Sequence, residues 1–184
     1  MSKISYLRIL GFAALYVVTI FMTAFLGFFA PWAWVFFPVV AALIGALSYY
    51  CTAIRWQKFG VGTFLAFALA AFLLAVGESD LSKALLTLFA GVLSDVVRQL
   101  IGYTTLKGQS LAYPVLSIGV IAWILPLWTR TGWYYQGATE EIGVDYANGL
   151  MTFASPWWLL AVVLTTALAG YLGIRFASKV IKSK

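Results

Sequence analysis

The residues of this chain that are best suited to binding chemistry are aromatic side chains gathered around one long connecting stretch. Residues 130 to 155 form that stretch, which holds three adjacent aromatic residues, an acidic pair and one arginine. Aromatic rings with a few polar groups suit a flat, partly apolar ligand, and an arginine suits a ligand carboxylate or phosphate. The candidate ligand-binding residues are Trp32, Trp34, Trp128, Arg130, Trp133, Tyr134, Tyr135, Tyr146 and Trp157.

Two charged residues, Asp95 and Arg98, lie within an otherwise apolar segment. Their three-residue spacing places both side chains on one face of a helix, where they can pair. Charges at membrane depth are costly and normally face protein or water. We predict a structural ion pair near the membrane boundary, with Arg98 extending to the lipid headgroups. The alternative is a role in coupling or docking.

The composition is that of an integral membrane protein. The chain is 63% hydrophobic and 10% charged, whereas soluble domains are about 25% charged. Its 184 residues predict a single domain spanning residues 1–184. With no histidine and one cysteine, Cys51, the chain lacks the residues of hydrolase triads, zinc proteases and cysteine-based zinc sites. We expect no catalytic residue, no metal site and no cofactor of its own.

Six apolar segments are long enough to cross a bilayer, which takes about 20 residues. The fold class that they predict is an all-α bundle of six transmembrane helices. The first segment exceeds the roughly 7–15 apolar residues of a signal peptide, so we expect it to be retained. Between the last two segments, Asp145–Met151 predicts a short surface helix. The segments are Ile9–Ala30, Ala33–Ala53, Phe59–Val76, Leu81–Tyr103, Ser110–Thr129 and Pro156–Ala177.

Basic and acidic residues occupy different loops of the sequence. Ten of the twelve cations fall in the two terminal segments and in alternate loops, and five of the six acids fall in the other loops. Cytoplasmic loops carry the lysine and arginine excess. Both termini are therefore predicted to be cytoplasmic, with the acidic loops and the aromatic stretch outside. The net charge of +6 indicates this topology and contact with anionic lipid, not nucleic-acid binding. Aromatic belts at the interface are an alternative explanation for part of the aromatic set.

Small residues recur at four-residue spacing in several segments and allow close helix contacts. The first segment has a looser small face, with Gly11, Ala13 and Ala14. We interpret this face as a candidate docking surface for another membrane subunit, with internal packing as the alternative. The regular stripes are Ala41/Gly45, Ala42/Ala46, Ala66/Ala70 and Ala169/Gly173/Ala177.

A set of apolar, glycine and proline motifs extends from about residue 55 to the last segment. The motifs are Lys58-Phe-Gly60, Phe89-Ala-Gly-Val-Leu-Ser-Asp95, Leu111-Ala-Tyr-Pro-Val-Leu-Ser, Trp123-Ile-Leu-Pro-Leu-Trp, Asp145-Tyr-Ala, Ser155-Pro-Trp-Trp and Ala169-Gly-Tyr-Leu-Gly. Together they resemble the MptD-like, or Trep_Strep, group, whose members are regarded as substrate-binding (S) components of energy-coupling factor (ECF) transporters.

The resemblance implies a six-helix protein of the bacterial cytoplasmic membrane that captures a micronutrient from outside, either a vitamin or a haem-type tetrapyrrole. Its partners would be a transmembrane T subunit and two cytoplasmic ATPases, and this chain itself lacks an ATP-binding P-loop. Many S components dock through Ala-x-x-x-Ala on the first helix, a motif that is not present here in strict form. Axial ligation of a haem would fall to Tyr134, Tyr135, Tyr146 or Met151.

Two other functions remain open from the sequence. The first is a structural or assembly subunit of another membrane complex, which should show no ligand-dependent thermal stabilisation. The second is a lipid-modifying membrane enzyme. Such an enzyme needs a catalytic base and several polar residues near the inner interface, for which Asp95 alone is thin support.

Overall fold

The computed structural model describes the chain from residue 3 to residue 182, and the side chains from residue 6 to residue 181. Within that range every regular element is helical, which confirms the predicted all-α class. Three cations that were counted with the basic loops, Lys3, Lys182 and Lys184, lie outside the described side chains.

Six longer helices form the bundle, and three shorter ones lie between the fifth and the last of them. Short 3-10 turns, Phe25–Phe28 and Gly119–Trp123, continue two of the long helices. The long helices are α1 (Lys3–Ala24), α2 (Pro31–Arg55), α3 (Val61–Ala75), α4 (Leu81–Ile101), α5 (Leu106–Ile118) and α9 (Pro156–Lys182). The short helices are α6 (Pro126–Thr129), α7 (Thr131–Glu141) and α8 (Val144–Met151).

Four of these helices, α1 with its 3-10 turn, α2, α4 and α9, are long and apolar enough to cross a membrane, and α3 is a shorter apolar helix. The protein is therefore a multi-pass membrane protein, while the count of six spans stays a prediction. The fifth helix differs most from its predicted bounds. It begins at Leu106 because the Thr105 hydroxyl caps it by accepting a hydrogen bond from the Gly108 N–H at 3.0 Å. It is separated from Pro126–Thr129 by the 3-10 turn.

The loops of like charge meet at the same end of the bundle. Glu78, from the connection between α3 and α4, lines one cavity together with Glu141 from α7. Lys107 and Arg175 line another cavity, formed by the start of α5 and the later part of α9. We call these the acidic end and the basic end. The charge sorting seen along the sequence is thus also a separation in space.

Small residues lie where the helices cross most closely. α2 packs against α1 and α9, and α4 packs against α3 and α5. A Cβ on Gly173 of α9 would lie 2.7 Å from the Cβ of Ala46 on α2. A Cβ on Gly91 of α4 would lie 2.7 Å from the carbonyl oxygen of Gly62 on α3. The regular small-residue stripes therefore serve packing within the chain, because they let backbones approach in the absence of a strong hydrophobic drive between helices.

Replacing Gly91 with alanine is expected to destabilise the bundle by about 1–3 kcal/mol, because the new methyl group meets backbone that cannot move aside cheaply. The matched control is Gly11→Ala on α1, where a Cβ would have no neighbour within 4 Å. A helix-interior glycine in open space gains about 0.5–1 kcal/mol from this change. Thermal unfolding of both variants in detergent measures the difference. Equal melting temperatures would show that the close crossing is unimportant.

The Asp95 carboxylate caps the start of α3. Its Oδ1 accepts a hydrogen bond from the N–H of Gly62 at 2.9 Å. Its Oδ2 accepts from the N–H and the hydroxyl of Thr63 at 2.8 and 2.7 Å. The N-cap residue of α3 is Gly60, which has no side chain for this purpose and has a φ of 114°. The free N–H groups at the start of α3 are therefore satisfied from α4, with the negative charge at the favourable end of the helix dipole.

The Arg98 guanidinium binds carbonyl oxygens in the last turn of α2 and just after it. It donates to Ala53 at 2.8 Å, to Trp56 at 2.9 Å and to Lys58 at 3.3 Å, and also to Tyr103 at 3.1 Å. The side chain has 0% exposure. These bonds satisfy the orphan carbonyls of a helix C-terminus with a positive charge, which the helix dipole favours.

The predicted ion pair between Asp95 and Arg98 is therefore not formed, and the extension of Arg98 to the headgroups is wrong. The three-residue spacing does place both on α4, but each turns to a different neighbouring helix end, where hydrogen bonds to a charged group are strong. Among the described side chains, the ion pair that does form is between Lys83 and Asp80, whose Nζ and Oδ2 atoms are 3.9 Å apart.

Candidate functional site

A cavity of about 380 Å³ lies at the acidic end of the bundle. Its walls come from the end of α1, the start of α2, the connection between α3 and α4, and the segment after α5. The remaining side is lined by α7 and α8, and we call these two helices the cover. Most of the large side chains around it are aromatic. They are Phe21, Phe25, Phe28, Trp34, Trp123, Trp133, Tyr134 and Tyr146.

The inner wall is a packed aromatic cluster centred on Trp123. This indole stacks on Phe21, with ring centroids 6.2 Å apart and planes 3° apart. It meets Trp34 and Phe37 edge to face at 5.8 and 5.4 Å. Its Nε1 donates to Oε2 of Glu78 at 3.4 Å. Rings that are held from several sides present a rigid apolar face, which suits a planar ligand.

Two tyrosine hydroxyls fasten the cover to the bundle. The Tyr134 hydroxyl, on α7, accepts a hydrogen bond from Nε1 of Trp34 on α2. The Tyr146 hydroxyl, on α8, donates to the carbonyl oxygen of Gly27 at 2.6 Å. A third hydroxyl, that of Tyr135, bonds Asn148 at 3.1 Å and joins α7 to α8 within the cover. Two hydrogen bonds, to Trp34 and to Gly27, therefore join the cover to the bundle.

The charged groups of the cavity are two carboxylates and one ammonium, from Glu78, Glu141 and Lys83. Lys83 is already engaged, because its Nζ donates to the Glu78 carbonyl oxygen at 3.2 Å and lies 3.9 Å from Asp80. The rim is therefore net negative. Burial raises the pKa of the Tyr146 phenol to about 12. Burial also raises the pKa of Tyr134, and the negative charges of Glu141 and Glu78 raise it further.

Comparison with known protein families shows the family of this chain. Residues 5–183 match the family model described as a hypothetical bacterial integral membrane protein, Trep_Strep. The chain belongs to the Trep_Strep family. The match covers nearly the whole chain and confirms a bacterial integral membrane protein. No curated protein and no solved structure matches this Trep_Strep member.

Four of the nine predicted ligand-binding residues line the cavity of this Trep_Strep protein, and five lie elsewhere. One of the four comes from α2 and three come from the neighbouring helices α7 and α8. Trp34 and Tyr134 are 100 residues apart in the sequence. Those that line the cavity are Trp34, Trp133, Tyr134 and Tyr146. Those that do not are Trp32, Trp128, Arg130, Tyr135 and Trp157.

The residues outside the cavity have other surroundings that account for them. Trp128 donates its indole N–H to the Phe153 carbonyl oxygen at 2.8 Å and braces α6 against the segment before α9. Trp32 and Trp157 are 61% and 79% exposed, as expected of an interfacial aromatic belt. Arg130 is exposed at the junction of α6 and α7.

Part of the cavity wall comes from residues outside the predicted ligand-binding set. Phe21, Phe25 and Phe28 line the cavity from the end of α1. Their spacing of four and three residues places them on one helix face, and that signal was present in the sequence. Trp123 and Lys83 were missed because they lie in other segments, and only the packing of α4 and α5 brings them to the cavity.

The three small residues proposed for docking do not share one face. Gly11 and Ala14 are exposed on the outer surface of α1, whereas Ala13 is 4% exposed and packs into the core. The correction follows from helix geometry, because Gly11 and Ala14 are three residues apart and share a face, whereas Ala13, two and one residues from them, points in another direction. The candidate docking surface therefore consists of Gly11 and Ala14 with the apolar residues around them.

Replacing both Tyr134 and Tyr146 with phenylalanine is expected to loosen the cover. Each lost hydrogen bond removes about 1 kcal/mol, so opening should become roughly five-fold more frequent per bond. Amide hydrogen exchange across α7 and α8 measures this directly. The matched control is Tyr135→Phe, which removes a hydrogen bond inside the cover and leaves both fastenings intact. Equal exchange in the double variant and the control would contradict the fastening role.

Proposed function

We propose that this Trep_Strep protein is the S component of an ECF-type importer. It captures a small ligand in the covered aromatic cavity and relies on partner subunits for ATP-driven uptake. The observation that carries the proposal is the cavity itself. Its volume of about 380 Å³ falls within the roughly 300–1,000 Å³ of small-molecule sites, and its mostly aromatic lining with a few polar groups has their character. A purely structural subunit has no need of such a site.

The charge separation supports capture from outside the cell. By the rule that cytoplasmic loops are rich in lysine and arginine, the basic end faces the cytoplasm and the acidic end faces outwards. The cavity then lies on the side from which a nutrient arrives. In this arrangement six helices span the membrane, and both termini are cytoplasmic.

The proposed importer needs partners for its energy. This chain has no P-loop for ATP, so we assign that role to a transmembrane T subunit and two cytoplasmic ATPases. The outer surface of α1 offers a place for the T subunit. Gly11 is exposed there with no neighbour within 4 Å of a Cβ position, and the adjacent Leu7 and Leu10 are 70% and 55% exposed. A small residue among apolar ones lets a second helix approach closely.

The cavity favours a vitamin-sized ligand over a tetrapyrrole. Its volume is near the lower limit for ligand sites. Tyr135 and Met151, two of the predicted haem ligands, do not line it. The other two, Tyr134 and Tyr146, have raised pKa values, so the phenolate that would bind a haem iron is disfavoured. The carboxylates of the rim also repel the propionates of a haem. We therefore propose a flat ligand that is neutral or positively charged.

Purification from the membranes of its own bacterium, followed by mass spectrometry of the associated proteins, tests the partner assignment. We expect a T subunit and two ATPases to co-purify with this chain. Recovery of a different membrane complex without ATPases would favour the structural-subunit function instead.

A panel of probes that differ in charge tests the ligand class. Thiamine is a cationic ring, riboflavin a neutral one, biotin an anion and haemin a dianionic tetrapyrrole. We expect thermal stabilisation of the purified protein by the cationic or the neutral ring at the lowest concentrations. Tighter binding of haemin would overturn the ligand class and leave the importer role intact.

A further inference from the structure

A second cavity, of about 270 Å³, lies at the basic end between α5 and α9. Its lining is short and chemically uniform. Lys107, Ser110 and Leu111 come from the first turns of α5, and Tyr171 and Arg175 come from α9. Two of these five residues are cations and none is an acid. The cavity therefore concentrates positive potential at a place where two helices meet.

Arg175 and Ser110 are two polar residues of this cavity whose surroundings are defined by other contacts. The Arg175 guanidinium is held by the Tyr171 hydroxyl, which accepts from Nε at 3.2 Å and from Nη2 at 2.9 Å. Ser110 is 1% exposed, and among the described residues its hydroxyl has no hydrogen-bond partner. Nearly all buried polar groups are paired, so the unpaired Ser110 hydroxyl at the wall of this cavity leaves a donor available to an acceptor from outside the chain.

We propose that this cavity binds the phosphate of an anionic phospholipid headgroup. Lys107 and Arg175 supply the positive charge that a phosphodiester seeks, and Ser110 supplies a hydroxyl donor. Basic pockets between membrane helices on the cation-rich side are suited to such headgroups. This inference is independent of the importer function, because it concerns the other end of the bundle.

Apolar surface beside the cavity favours a lipid over free phosphate. Leu111, at the rim, is 41% exposed. On α9, Leu172 follows the lining residue Tyr171 and Phe176 follows the lining residue Arg175. These two side chains are 51% and 61% exposed. Acyl chains attached to a bound headgroup would cover this surface, whereas inorganic phosphate would leave it uncovered. One lipid would then contact the cations through its headgroup and the neighbouring apolar residues through its acyl chains.

Native mass spectrometry of the delipidated full-length protein tests the site with phosphatidylglycerol as the probe. The test variant is Lys107→Gln with Arg175→Gln. The matched control is Lys58→Gln with Lys179→Gln, two exposed cations at the same end that do not line the cavity. Both cations attract the anionic headgroup, so removing the two should weaken phosphatidylglycerol binding roughly 30-fold. Ser110→Ala should weaken it about five-fold through the lost hydrogen bond.

The expected result is phosphatidylglycerol binding that is kept in the control and lost in the test variant, with phosphatidylcholine binding much more weakly to both. Equal loss in the two double variants would overturn the proposal, because it would indicate diffuse attraction to the basic end. Saturation of the site by inorganic phosphate at the concentration that suffices for the lipid would also overturn it, in favour of a free-phosphate site.

Discussion

Replacing Arg98 with methionine is expected to destabilise the protein by about 3–5 kcal/mol, among the largest effects of a single substitution. The substitution leaves the carbonyl oxygens of Ala53, Trp56 and Tyr103 without their donor at a site with 0% exposure. Buried acceptors that lose a charged donor carry the full cost of their desolvation. For a chain of this length the melting temperature in detergent should fall by roughly 10 °C.

Two further variants separate the geometry of Arg98 from its charge. Arg130→Met removes an exposed arginine and should change stability by less than about 0.5 kcal/mol. Arg98→Lys keeps the charge but not the planar fork that reaches several carbonyls at once, so it should recover only part of the loss. If Arg98→Met melts within 1–2 °C (about the spread of surface variants) of Arg130→Met, the helix-end role is wrong.

Replacing Trp133 with alanine is expected to weaken ligand binding about ten-fold or more, because large aromatic contacts dominate binding energy in such sites. Its matched control is Trp32→Ala. Both indoles are 61% exposed in the structure, but only Trp133 lines the cavity. Because both side chains are on the surface, neither change should affect folding much.

Trp123 would be a poorer test of binding. It is 7% exposed and packs against Phe21, Trp34 and Phe37. Its truncation would cost about 3–5 kcal/mol of stability. Loss of ligand in that variant could therefore result from loss of the fold, and the exposed Trp133 avoids this ambiguity.

The sequence was sufficient to predict the parts of the fold that depend on composition and charge. Apolar length predicted the long helices α2, α4 and α9 with errors of a few residues at their ends. Charge sorting predicted that the loop of Glu78 and the stretch of Glu141 would lie together, and both line one cavity. These properties are local, because they depend on how each segment partitions between lipid and water.

Other parts depend on contacts that no local pattern encodes. The partners of Asp95 and Arg98 lie up to 45 residues away in sequence and, apart from the Thr63 hydroxyl, are backbone groups. A spacing of three residues predicts only that the two can share a face. α7 was not predicted because Thr131–Glu141 has no apolar periodicity. It is helical where it covers the cavity, which illustrates how packing overrides a weak local preference.

The candidate site was also predictable only in part from local sequence. Aromatic residues near the acidic loops were recognised as a group, yet only Trp34, Trp133, Tyr134 and Tyr146 line the cavity. An interfacial belt and a ligand site use the same residue types, so composition alone could not separate them. The direction in which each ring points depends on the helix that carries it, and that required the fold.

The central claim, that the covered cavity captures a small molecule, is tested most directly by what the protein carries from its own bacterial membranes. Wild type, Trp133→Ala and Trp32→Ala are purified in parallel and denatured, and the released small molecules are quantified by mass spectrometry. If the cavity holds a small molecule, we expect one compound at near-equimolar amount in wild type and Trp32→Ala, and about ten-fold less of it in Trp133→Ala. Absence of any enriched compound from wild type, or equal amounts in all three proteins, would contradict it.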